Sequence, residues 1–340
     1  MSDPWVNSAS DTLKHALEDM VTDRLTPGAA AAIGAPDDRA LVAVGTTGVD
    51  GEHPATPETY YDIASLTKVV ATWPLVGRAV ADGLVGLDAP LAKYFPDLAP
   101  QSHPGLKATM RQILTHTSGL MPSTRLDRYI GDERYIAEAI LAEPLGTVGE
   151  QRYINRGFIL AGLMLERLRG EPLGRLLDAH MSTVGVAGIG YGPFTRSAQV
   201  APTERRIGGA HPVHGTVHDE NAALLGGMAG HAGVFATAEG LADYTSAIIR
   251  ARSEEAPVGA FVRESWHPMT RVDELTHRGL AWLIRDGGVV YHHGFTGTSL
   301  FLHPDTGRYL VLLTNAIAFG RERRGLADVR RVALGLLEQP

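Results

Sequence analysis

Ser65-Leu66-Thr67-Lys68, with Tyr61-Asp62-Ile63-Ala64 ahead of it and the apolar run Val69-Val70-Ala71 behind, is the stretch from which the rest of the chain can be read. If Ser65 opens a helix, Lys68 lies one turn along on the same face, where its amine can approach the hydroxyl. The start of a helix also favours negative charge developing there. A lysine in apolar surroundings can accept a proton from a neighbouring serine. The spacing alone is weak, since Ser-x-x-Lys recurs by chance about once in a few hundred residues. Taken alone it reads equally well as a helix N-cap beside a solvated lysine.

Outward from this stretch, the two ends of the chain look alike. From Ser8 to about Leu25, Leu13, Ala16, Leu17, Met20 and Val21 recur at helical spacing, with Ser10 or Asp11 as possible caps. Residues 29–33 and 40–44 read as a hairpin turning near Asp37-Asp38. Near the other end, 281–284, 289–292, 299–302 and 309–313 are short apolar runs broken by Gly or Asp, and a helix follows from Leu326 to Leu337. Between them, 69–81, 110–114, 132–141 and 158–168 have helical period, whereas 196–233 is rich in Gly, Pro and His with little periodicity. The expectation is an α+β fold: one antiparallel sheet built from distant parts of the chain, flanked by N- and C-terminal helices, with an inserted, mostly helical domain. The expected division is 1–62 with 230–340 for the sheet domain and 63–229 for the insertion and active-site loops.

Composition narrows the function. Against 38 Asp plus Glu stand 31 Lys plus Arg, a net charge of −7, and the densest basic run, Arg321 to Arg324, contains Glu322. Nucleic acid is therefore not an expected partner. The absence of cysteine excludes disulfides, thiolate metal sites and a cysteine nucleophile. The first residues, Met1-Ser2-Asp3-Pro4-Trp5, lack the basic start and apolar stretch of a secretory signal, and no window has the apolar length of a membrane span. A cytoplasmic protein without membrane partner, cofactor or metal is expected.

Two further motifs carry chemistry. In Tyr153-Ile154-Asn155 the phenol can act as general acid or base, and the amide can hold a substrate carbonyl or fix a lysine. By itself the segment also reads as a helix start. In His292-His293-Gly294-Phe295-Thr296-Gly297-Thr298-Ser299, between two strand runs, a glycine lets substrate lie against the strand edge, and a free N–H can serve an oxyanion. The plain alternative is a Gly-rich hairpin.

In this order, Ser65-x-x-Lys68, Tyr153-x-Asn155 and His292-x-Gly294 resemble the three motifs of the serine β-lactamase and penicillin-binding superfamily, in its class C β-lactamase-like esterase branch. The likeness extends to Tyr61–Ala64, Leu87-Asp88-x-Pro90 with Tyr94-Phe95-Pro96, Leu114-Thr115-His116-Thr117-Ser118-Gly119-Leu120, Gly230-His231-Ala232-Gly233 and Gly294-Phe295-Thr296-Gly297-Thr298, nearly the whole chain from Leu25 to Leu337. The resemblance implies Ser65 as the acylated nucleophile, Lys68 as its proton partner, Tyr153 as general base and Asn155 as the group that positions lysine and substrate. It implies an oxyanion hole from the N–H groups of Ser65 and Phe295. His292 stands where the penicillin-recognising members have a lysine that faces the drug's carboxylate, which favours an esterase or transacylase over a β-lactamase or D-amino-acid peptidase. On this reading, lysine restored at 292 should favour carboxylate-bearing β-lactams. The partners implied are a small-molecule ester or amide and, for transfer, an amine or alcohol acceptor.

Ser118 lacks the glycine two residues before it that a nucleophile elbow needs. His211, His214 and His218, with Asp219 and Glu220, have spacing compatible with zinc, but Pro212 and Gly215 break any helical frame, so loop histidines are the favoured reading. His231 either lines the pocket or is buried with its bonds satisfied. The rivals from other classes are a turnover-silent ligand-binding or sensor protein on the same fold, and a zinc hydrolase.

Overall fold

The computed structural model describes residues 3–35, 38–48 and 53–339. Helix α1 (Pro4–Thr22) starts earlier than its periodicity suggests, because Asp3 accepts the Trp5 amide and Pro4 occupies the first turn. Strands β1 (Gly28–Ala35) and β2 (Asp38–Gly45) form the expected hairpin; Asp37, at its expected turn, lies outside the described residues. After the two-residue strand β3 (Tyr61–Asp62) come a tight turn at Ala64–Leu66, one π-helical turn at Lys68–Thr72 and helix α2 (Trp73–Ala81).

Helices α3 (Met110–Leu114), α4 (Ile136–Leu141), α5 (Asn155–Arg169) and α6 (Leu173–Val184) follow. Strand β4 (Ile189–Tyr191), the short helix α7 (Glu220–Leu224), strand β5 (Val234–Ala236) and helices α8 (Ala238–Arg252) and α9 (Pro257–Ser265) come next. The chain closes through β6 (Thr270–Arg271), β7 (Thr276–Arg278), β8 (Leu283–Arg285), β9 (Val290–His293), β10 (Ser299–Leu302), β11 (Tyr309–Thr314) and α10 (Leu326–Leu337).

This is an α+β fold around an antiparallel sheet in the order β2-β1-β11-β10-β9-β8-β7-β6. Strand β1 is buried on both faces, so its residues alternate between two cores. Ala29, Ala31 and Ile33, with Leu310, Leu312 and Phe301, pack against Leu13, Leu17, Met20, Val329 and Leu336 of the terminal helices. Ala30 and Ala32, with Leu300, Val311 and Leu313, face the larger core of the helical side. Alanine at these β1 positions lets helices approach the sheet from both sides.

A second sheet, β3-β5-β4, pairs Asp62 with Phe235 and so fixes the chain just before Ser65. No helix among the described residues is long and apolar enough to cross a membrane.

Candidate active site

Ser65 sits in the tight turn between the small sheet and the end of β9. Two bonds fix the approach to it: the Ile63 amide donates to the Val234 carbonyl, and the Asp62 carboxylate accepts from the Ala64 amide at 2.8 Å. Ala64 is held at φ 46°, a left-handed backbone that a non-glycine residue adopts only when its surroundings impose it. The Lys68 Nζ donates to Ser65 Oγ at 3.0 Å and to the His231 carbonyl at 3.3 Å, and its residue is 0% exposed. Because Lys68 begins a π-turn, its helix frees carbonyls that need other partners. The Val69 carbonyl accepts from the Tyr244 hydroxyl at 2.6 Å, and Thr72 Oγ1 donates to the Gly230 carbonyl.

Tyr153, 43% exposed, presents its ring 4.9 Å from Lys68 Nζ. Asn155 begins α5, and its buried Oδ1 has no partner among the described residues, which leaves an acceptor free. The Tyr153 ring stacks on His116 with centroids 4.7 Å apart and lies 6.3 Å from that of His292.

On the opposite wall, His292 lies one residue before the end of β9, with its side chain buried. Burial, with Arg278 and Lys68 nearby, drives its basicity well below the ordinary imidazole range, so it is neutral. Its Nδ1 faces the His293 carbonyl at 3.0 Å, which can only accept, so the proton is on Nδ1 and the buried Nε2 carries a free lone pair. Gly294 is required by close approach. A Cβ there would fall 2.4 Å from the Ile63 carbonyl and 2.1 Å from Thr298 Oγ1. The turn at 294–298 is tied to the serine turn by Thr296 Oγ1 on the Asp62 carbonyl and Thr298 Oγ1 on the Ile63 carbonyl. Arg330 of α10 braces it from behind, donating to Ser299 Oγ and to the carbonyls of Gly294 and Thr298. Among the described residues neither the Ser65 nor the Phe295 amide donates to another backbone carbonyl, so both remain free for an oxyanion.

Behind Lys68 stands His231. Its side chain is fully buried, with Nε2 2.9 Å from Asp219 Oδ1 and Nδ1 without a partner among the described residues, and its backbone carbonyl holds Lys68. Burial opposes ionisation of Asp219, but His231 outweighs it and holds the carboxyl below its usual range. Asp219 also caps α7 through the Ala222 amide. The His218 amide donates to the Asp62 carboxylate, its Nε2 lies 3.0 Å from Glu204, and its ring stacks on Phe295 at 5.6 Å. His214 Nε2 meets the carbonyls of Ser197 and Val200. Among the described residues no group of three or more His, Asp or Glu side chains is arranged to hold a metal ion. Ser118 is buried, its Oγ accepting the Leu120 amide.

Sequence reading gave no role to His116, Arg278 or Arg330. Arg278, on β7, is almost wholly buried; burial brings its guanidinium down to about 10, and its Cζ sits 5.8 Å from the Tyr153 ring. Nη1 donates to the Ala281 carbonyl, Nε has no partner, and no carboxylate among the described residues pairs with it. A cation buried without an anion is costly, which singles this guanidinium out among the groups near Tyr153.

Residues 13–335 match the family model described as Beta-lactamase. The chain belongs to the β-lactamase family. It is 26% identical over 304 residues to a putative D-alanyl-D-alanine carboxypeptidase of Escherichia coli K12, spanning 77% of this chain and 70% of that protein. In fold it is similar to an octameric penicillin-binding protein homologue from Pyrococcus abyssi (TM-score 0.76, 21% identity, 96% of this chain and 77% of that one). It is also similar to a class C β-lactamase from Rhodobacter sphaeroides (TM-score 0.75, 16% identity, 96% and 99%). Members of this family are serine hydrolases of β-lactamase and D-alanyl-D-alanine carboxypeptidase type.

Proposed function

We propose that this β-lactamase-family chain is an acyl-transfer enzyme that takes the acyl group of a small-molecule ester or amide onto Ser65 and passes it to water or to an amine or alcohol. The observation that carries this reading is the 3.0 Å contact of the buried Lys68 amine with Ser65 Oγ, in a site where both neighbouring histidines are held neutral. Attack of Ser65 Oγ on the acyl carbon forms the ester bond. The hydroxyl proton leaves through Lys68 and Tyr153 to the departing alcohol or amine, and the free amides of Ser65 and Phe295 receive the oxyanion. Deacylation reverses these roles with the acceptor in place of the leaving group. Asn155 Oδ1 is free to hold the Lys68 amine or a substrate N–H.

A second reading, a D-amino-acid peptidase or β-lactamase, is favoured by Arg278, whose unpaired guanidinium supplies the cation that His292 does not. The relative named a D-alanyl-D-alanine carboxypeptidase points the same way.

The test is intact-protein mass spectrometry after brief incubation with activated neutral esters, with acyl-D-alanine esters and with a penicillin. An adduct absent from Ser65→Ala supports the acyl-enzyme; turnover with no adduct dependence on Ser65 refutes it. Arg278→Gln that weakens only carboxylate-bearing donors favours the second reading, whereas equal loss for neutral esters rejects it.

A further inference from the structure

We propose that His116 is the positioning residue of Tyr153, holding the tyrosine's backbone on both sides and its ring from one face. The proposal rests on the reading of Tyr153 as a proton-transfer group but is argued from separate contacts. The Arg152 amide donates to the His116 carbonyl at 3.0 Å, and the Ile154 amide donates to His116 Nδ1 at 2.9 Å. The residues before and after Tyr153 are thus both bonded to one histidine, whose ring stacks on the tyrosine at 4.7 Å and on Phe158 at 5.2 Å.

The same ladder continues along the segment. The Gly149 amide donates to the Thr117 carbonyl and the Gly146 amide to that of Gly119, so the whole 146–154 loop hangs from 116–119. His116 adopts φ 58°, a left-handed backbone forced by its setting.

The chemistry explains why a histidine is needed. Phenylalanine would supply the stack but no acceptor for the Ile154 amide; asparagine would supply an acceptor near the Nδ1 position but no ring. Burial, with Arg278, Lys68 and His292 around it, keeps the imidazole neutral. An Nδ1 that accepts an N–H bears no proton, so the proton lies on Nε2, which is buried and without a partner. His292 has the opposite tautomer, with Nε2 unprotonated. Tyr153 is thus near two neutral rings of opposite tautomer, at centroid distances of 4.7 and 6.3 Å.

The experiment compares His116→Phe and His116→Asn, alone and with Tyr153→Phe, in turnover of an activated ester. His116→Phe should lower kcat by about 10- to 100-fold, the scale on which a misplacement of about an ångström costs rate, with KM little changed. Asparagine, which tolerates a left-handed backbone, should recover part of the loss. In the Tyr153→Phe background His116→Phe should add almost nothing, because the two act as a unit. Near-native turnover of His116→Phe, or its full effect persisting beside Tyr153→Phe, overturns the proposal. Imidazole nitrogen NMR of the unaltered chain needs no variant to fold: His116 should keep an unprotonated Nδ1 from about pH 8 to below the ordinary histidine range near pH 6.5. A protonated Nδ1 overturns the clamp. If Tyr153→Phe alone leaves turnover unchanged, the role of Tyr153 fails, and the nitrogen spectrum still decides whether the clamp exists.

Discussion

Replacing His292 by lysine tests the electrostatics of the site most severely, because sequence and structure predict opposite results. From the motif alone, lysine there should restore recognition of a carboxylate. In the structure the side chain at 292 is buried in reach of Arg278 and Lys68, which already depress its basicity. At an effective dielectric of about 20 and a separation of roughly 7 Å, each like-charge pair costs on the order of 2 kcal/mol. Arg278 and a protonated Lys68 together would impose about 4 kcal/mol, equivalent to some 3 pH units of lysine basicity before burial is counted. Those pairs alone would bring a lysine from about 10.4 to about 7.4, and burial lowers it further, so at about pH 7 it would lose much of its charge and supply no dependable cation. We expect His292→Lys to lose stability in urea unfolding and to gain nothing in the acylation rate by a penicillin, read as adduct formation by mass spectrometry. Adding Arg278→Gln removes the competing charge and should recover both stability and carboxylate preference. A single His292→Lys variant of native stability, with a tenfold selective gain toward the penicillin, would refute the reasoning.

Ser65→Ala should abolish turnover while shifting unfolding free energy by no more than about 1 kcal/mol, since its hydroxyl bonds Lys68 rather than capping a helix; retained turnover with a normal melt would exclude the nucleophile. Asp219→Asn removes a charge-assisted bond to His231 and should cost about 1.5–3 kcal/mol at pH 7 in urea melts. Because the Asp219 carboxyl is held below its unfolded value, that contribution should fade as pH falls below about 3.8, and turnover should fall through the displaced His231 carbonyl. His116, His292 and His293 are all depressed by burial, His293 to about 3. Only the unfolded chain binds their protons below about pH 6.5, so stability should drop by about 4 kcal/mol per pH unit there and recover as pH rises; a flat profile between about pH 6 and 5 would contradict their burial as neutral rings. Finally, an amine that binds should divert the Ser65 acyl-enzyme to amide with saturation, whereas an amide-to-acid ratio that merely follows nucleophilicity would indicate plain hydrolysis.

The frame of the fold was legible because its signals are local. The periodicity of α10 and α3 matches their bounds, and the short apolar runs of β1, β10 and β11, broken by turn residues, mark a sheet shared by both ends of the chain. Helices α8 and α9 lie outside the expected elements although Leu241, Tyr244 and Ile248 have helical spacing, and β6 and β7 are two and three residues long, too short to show a period. Ser65, Lys68, Tyr153, Asn155 and His292 stand out as candidates because spacing within each motif is itself geometric information. Their neighbours do not. Arg278 reaches Tyr153 across 125 residues, and Asp219 reaches His231 only because a loop folds back behind Lys68. His116 was quoted in its motif, but nothing local to 114–120 shows that its ring nitrogen would bond residue 154.

The placement of charge gives the site its bias. Asp62, Asp219 and Glu204 are each taken up by backbone amides, histidines or Arg321. On the reactive side, the Lys68 amine meets the Ser65 hydroxyl, Arg278 stands without an anion, and both imidazoles are neutral. A neutral imidazole adds no cation to repel Arg278, and it leaves that guanidinium as the fixed positive charge on this wall. Charge that develops on a substrate oxygen during attack is negative, so on the proposed acyl-transfer reading a site with unbonded amides and an unpaired, buried guanidinium favours the attack over the resting substrate. His292 in place of lysine therefore leaves the site with a cation, but moves it from β9 to β7.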